Sequence, residues 1–226
     1  HDSVNAMTFE DERRQLTDLI LNFIRKVNYG RDFEAQLNFY VEARASFSHL
    51  DGVLSHLVQA TCALVMQALR IVKGVHNRKT SSFVRAAFGY CYITIPTIVS
   101  YWSRLSLYLL CAELALVNTC LPQAESMFEA AVALLADAGE LSESELAGEK
   151  ETWLVQYLSN FAGALILLPG HPEKGPFVVL KAFLSALAEY PWNALLDTKI
   201  EAYINMLGVL GAFRSGKLPY RIASRT

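Results

Sequence analysis

The sequence predicts an all-α protein, a HEAT-like α-solenoid of antiparallel helix pairs. Apolar residues recur at helical spacing along almost the whole chain, and no run alternates with period two over a useful length. Helix pairs recur roughly every 40–45 residues, a period typical of stacked helical repeats. A single helical bundle is the competing architecture, but about nine consecutive helices exceed what one bundle core would use.

The first helix carries Leu16, Leu19, Ile20, Phe23, Ile24 and Val27 on one stripe. Thr8 is placed to cap it, with Asp11 completing an approximate capping box, and Gly30 to stop it. Asp32 opens a second helix, with Phe33, Leu37, Tyr40 and Val41 on one face. A third starts near Asp51, carries Leu54, Leu57, Val58, Val65, Leu69 and Val72, and stops at Gly74. After a loop over residues 75–79, Thr80, Ser81 or Ser82 caps a fourth helix holding Phe83, Val84, Ala87, Phe88 and Cys91. Pro96 breaks that pattern and opens a fifth helix through Trp102, Leu105 and Leu109. Pro122 sits where a first-turn proline belongs, before a sixth stripe of Met127, Phe128, Ala131, Leu134 and Leu135.

Residues 137–151 are acidic and poor in apolar side chains, which predicts a surface loop. A seventh helix carries Leu154, Tyr157, Leu158, Phe161, Leu165 and Leu168. A turn at 169–175 and an eighth helix over about 176–190 follow. The ninth starts near Asp197 with Ile200, Tyr203, Ile204 and Leu207. The tail 214–226 has too few apolar residues to assign. The whole chain, 1–226, reads as a single solenoid segment.

Hydrophobic residues make up 53% of the 226 positions and charged residues 19%, with a net charge of −2. That apolar share excludes disorder, and the near-neutral balance gives no footprint for nucleic acid or for a strongly basic membrane-surface protein. Two uncharged stretches, 86–103 and 152–170, approach the length of a membrane span. Pro96 interrupts the first, Gln156, Ser159 and Asn160 sit in the second, and a membrane-embedded helical protein is the competing class. The chain begins with His1, which suggests a piece of a longer protein.

No catalytic, cofactor or metal motif is present. Cys62, Cys91, Cys111 and Cys120 lie among apolar residues with no C-x-x-C pair, which predicts buried free thiols and no metal site. Lys79-Thr80 lacks the preceding glycine and strand of a phosphate loop. His171 and Glu173 flank Pro172 in a turn, without further ligands nearby. A helical enzyme with no recognisable motif is the third class. The remaining candidate is a partner-binding patch of His76, Arg78, Lys79 and Arg85, against the plain reading of a solvated basic loop.

Several longer stretches carry a family resemblance. Asn28-Tyr29-Gly30-Arg31-Asp32-Phe33-Glu34, Gly74-Val75-His76-Asn77-Arg78-Lys79-Thr80, Ile93-Thr94-Ile95-Pro96 and His171-Pro172-Glu173 resemble the large α-solenoid subunit of the retriever complex, a paralogue of the retromer scaffold. The resemblance runs to about residue 205 and departs at 137–151 and after Arg214. It implies a non-catalytic segment from the C-terminal half of that scaffold, cytoplasmic and peripheral on endosomes, serving recycling of membrane cargo to the plasma membrane. It further implies a metallophosphatase-fold vacuolar sorting subunit as partner of this half and an arrestin-like subunit on the missing N-terminal half. A coiled-coil complex joins the larger assembly, and the membrane is reached only through partners.

Overall fold

A computed structural model describes residues 2–140, 149–168, 177–192 and 196–215. Among these residues the chain is all-α, with nine α-helices, two short 3-10 turns and no strand. The helices are α1 Asp2–Lys26, α2 Phe33–Ser46, α3 Asp51–Ile71, α4 Arg78–Thr94, α5 Tyr101–Val117, α6 Leu121–Ala136, α7 Glu149–Leu165, α8 Val178–Glu189 and α9 Leu196–Ser215. They group into two compact units, His1–Leu114 and Ala115–Thr226, divided within α5.

In the first unit α3 packs against α1, α2 and α4. Short connections between packed helices make sequential neighbours antiparallel. Ile24, Ala43, Leu50, Val53 and Leu57 form one buried cluster, which Ile20, Phe39 and Phe47 flank. Polar groups at the helix ends are satisfied locally, as buried backbone requires. Asp32 caps α2 by accepting the Ala35 N–H at 3.0 Å. Gln36 is buried and holds the preceding turn, accepting from the Tyr29 N–H at 3.0 Å and donating to the Val27 carbonyl at 3.3 Å. The Asp51 carboxylate accepts the N–H groups of Val99 (3.0 Å) and Ser100 (3.2 Å), tying the start of α3 to the segment that leads into α5. Gly30 and Gly74 have φ of +65° and +83°, the left-handed values for which glycine carries no Cβ penalty.

In the second unit α6 packs against α8, and α7 against α8 and α9. Phe128, Phe161 and Phe183 are fully buried. The Phe128 and Phe161 rings meet edge-to-face at 5.2 Å, and the Phe161 and Phe183 centroids lie 4.6 Å apart. The Trp192 indole N–H closes the end of α8 on the Leu187 carbonyl at 2.9 Å. Pro122 stands in the first turn of α6, as the sequence predicts.

Four local expectations are corrected. Thr8 lies inside α1 and does not begin it, because helix continues back to Asp2. Asn77 is the N-cap of α4, with Thr80 completing a reciprocal capping box three positions on, while Ser81 and Ser82 lie inside the helix. Pro96 sits in a 3-10 turn, Ile95–Thr97, and α5 begins only at Tyr101, since the missing proline N–H ends one helix without starting the next here. On α9 the predicted stripe is outward: Ile204 is 61% and Leu207 68% exposed, whereas Ala202 and Met206 are buried. The shorter Ala202 and the unbranched Met206 let α9 sit close to α7, where Asn205 Nδ2 donates to Ser159 Oγ at 3.0 Å. The turn at 169–175, the tail beyond Ser215 and most of the acidic stretch lie outside the described residues. Its start, Asp137–Glu140, is a 3-10 turn.

The stretch 86–103 is divided by the Ile95–Thr97 turn. Among the described residues one helix, α3, is long and apolar enough to cross a membrane, and half of its apolar window is buried inside the protein. Val53, Leu54, Leu57 and Val58 on it are fully buried, the position of a core helix.

Candidate interaction surface

The corner between α3 and α4 is built by a left-handed stop and a reciprocal cap. Lys73 and Gly74 both have positive φ. The chain then turns to Asn77, whose Oδ1 accepts the Thr80 N–H at 2.9 Å while its own N–H donates to Thr80 Oγ1 at 3.0 Å. Two orphan donors of the helix start are thereby satisfied. His76 Nδ1 lies 3.3 Å from the same hydroxyl, so His76 belongs to the cap.

Arg78 and Lys79 are therefore first-turn helix residues rather than loop residues. Seven positions apart, Arg78 and Arg85 share one exposed face of α4. Arg85 Nε donates to the Ser81 carbonyl at 3.3 Å, which lays its side chain along that face. Lys79 leans toward α2, with Nζ 3.8 Å from Glu34 Oε1. Both partners are exposed, so this pair contributes about 0–1 kcal/mol. The structure thus joins Arg78 and Arg85 on one face, turns Lys79 sideways and gives His76 a capping role.

That first turn contains no acidic residue. Cations there oppose the helix dipole, at a cost of about 0.3–1 kcal/mol each. Helix stability therefore does not explain Arg78 and Lys79.

A groove of about 570 Å³ lies in the same unit, with Arg25, Gln36, Tyr40, His56 and Arg70 in its lining. Burial pushes His56 below the ordinary histidine range, and the Arg25 charge lowers it further. A depressed histidine stabilises the fold above its unfolded value of about 6.5. That contribution is lost as pH falls through the lower folded value, because the unfolded chain then binds the extra proton. Thermal unfolding followed between about pH 7.5 and pH 5 is expected to show this decline, and His56→Gln to flatten part of it. An unchanged slope in the variant would assign the decline to other groups.

The family described as VPS35L C-terminal domain matches residues 1–225. The chain belongs to the VPS35L C-terminal domain family. It is 42% identical over 98% of its length to the mouse (Mus musculus) protein named VPS35 endosomal protein-sorting factor-like, of which it covers 23%. The human (Homo sapiens) protein of that name is 41% identical over 98% of the chain, with 23% of its own length covered. A Dictyostelium discoideum relative, VPS35 endosomal protein sorting factor-like, is 40% identical over 98% of the chain, covering 22% of that protein. The chain therefore spans less than a quarter of the length of these relatives.

Two further features of this VPS35L C-terminal domain escape a reading of sequence spacing. The outward apolar faces of its terminal helices are one: Leu19 and Phe23 on α1, and Ile200, Ile204 and Leu207 on α9, all exposed. Periodicity marks an apolar stripe but not what covers it. The other is a convergence of Cys62, Cys91 and Cys111, whose sulfurs lie within 4.8 Å of one another. They come from three helices, and the Cys62–Cys111 pair is 49 positions apart in the chain. No local spacing signals such a meeting.

Proposed function

We propose that the chain is a non-catalytic scaffold segment in endosomal protein sorting, serving the return of membrane cargo to the plasma membrane. It acts on the cytoplasmic face of endosomes, and its helices present one surface to a folded partner. The observation that carries this reading is the cationic first turn of α4, where Arg78 stands exposed on a face shared with Arg85. It is held there against the helix dipole, in a chain whose relatives are named endosomal sorting factors. The proposed partner on this half is the metallophosphatase-fold sorting subunit, with acidic groups meeting Arg78 and Arg85. The arrestin-like subunit and the coiled-coil complex belong, on the same proposal, to other parts of the full-length protein or its assembly. The apolar faces of α1 and α9 are proposed as seams for neighbouring helices of the full-length protein, about four times the length of this chain.

Double charge reversal, Arg78→Glu with Arg85→Glu, tests the docking surface. Binding to the partner subunit is expected to weaken about tenfold or more, a change of about 1.4 kcal/mol per decade. The melting temperature is expected to hold or rise, because a carboxylate at position 78 complements the positive end of the helix dipole. A lower melting temperature with unchanged affinity would make the two arginines structural instead.

A further inference from the structure

We propose that Cys62, Cys91 and Cys111 form a buried three-sulfur site for a soft monovalent cation, Cu(I). The three thiols reach one point from α3, α4 and α5, within the first compact unit. Cys62 is 3% exposed and the other two 0%. Cys62 Sγ and Cys111 Sγ lie 3.6 Å apart, and all three sulfurs fall within 4.8 Å of one another. Sulfurs around a trigonal centre at a metal–sulfur distance of about 2.3 Å stand about 4 Å apart. Shifts of a few tenths of an ångström would therefore bring the set onto an ion.

Coordination number selects the ion. Among the described residues no histidine or carboxylate joins the three sulfurs. Zn²⁺ in a closed site takes four protein ligands. Thiolate sulfur favours Cu(I), which is satisfied by three. The residues one turn away on each helix, Val58, Val65, Ala87, Phe88 and Tyr108, are buried. They would keep water from the bound ion.

Thiolates, not thiols, ligate the ion, so copper uptake by the reduced chain would release the thiol protons.

The test is to reduce the 226-residue chain, load it with Cu(I) under anaerobic conditions and challenge it with bicinchoninate, a chelator of that ion. One copper retained per chain is expected, with three sulfur scatterers in X-ray absorption and a higher melting temperature than the copper-free chain. Cys111→Ser is expected to lose stoichiometric retention, while Cys120→Ser, at a buried cysteine outside the cluster, keeps it. Should Cys111→Ser fail to fold, the sulfur count on the unsubstituted chain decides alone. Loss of copper to the chelator, fewer than three sulfurs, or undiminished retention by folded Cys111→Ser would overturn the assignment. So would Zn²⁺ held in preference to copper.

Discussion

Replacing Phe161 with alanine is expected to lower stability by about 3–5 kcal/mol, the range for removing a fully buried aromatic ring. Phe161 is 0% exposed and sits between Phe128 of α6 and Phe183 of α8, with Tyr157 one turn away on its own helix at 6.0 Å. Its ring therefore joins three helices of the second unit. Aromatic pairs at these separations add about 0.5–1.5 kcal/mol beyond area burial, and three rigid helices cannot collapse fully into the space left. Urea unfolding of the variant measures the loss. A value under about 1 kcal/mol would mean that the rings touch without holding the unit together.

The second large effect concerns self-association. The chain is expected to associate with further copies as concentration rises, because α9 leaves Ile200, Ile204 and Leu207 at the surface. Burying a large aliphatic side chain contributes about 1.5–3 kcal/mol. Ile204→Glu with Leu207→Glu should then weaken association by about two to four orders of magnitude. Fold content should stay unchanged, since neither side chain enters the core. Sedimentation equilibrium on both proteins decides this. A parent chain that stays monomeric at every concentration would remove the seam reading of α9.

Most of the fold is legible in the sequence because it rests on local chemistry. The helix stripes, Asp32 as the opening of α2, Gly30 and Gly74 as stops and Pro122 in a first turn each follow from one residue and its near neighbours. Asn77 shows the limit of that reasoning. Asn77 and Thr80 are both good capping residues, and here they cap one end together, so position alone cannot rank them. The α9 stripe shows another limit. Its larger side chains suggest the inner face, yet Ala202 and Met206 take it because α9 packs close to α7. The candidate surface is legible in part. Arg78 and Arg85 are recognisable as a basic pair, but the capping role of His76 and the sideways course of Lys79 depend on three-dimensional contacts. The cysteine cluster is wholly tertiary, assembled from three helices without a spacing motif.

This chain is proposed to bind a folded partner through its helical surface. Titration calorimetry between the chain and the metallophosphatase-fold sorting subunit measures that binding. Saturable binding at one partner per chain is predicted, weakened by Arg78→Glu with Arg85→Glu. A chain that keeps its helical circular dichroism and melting transition but releases no binding heat, and is not retained on the immobilised partner, would contradict the claim.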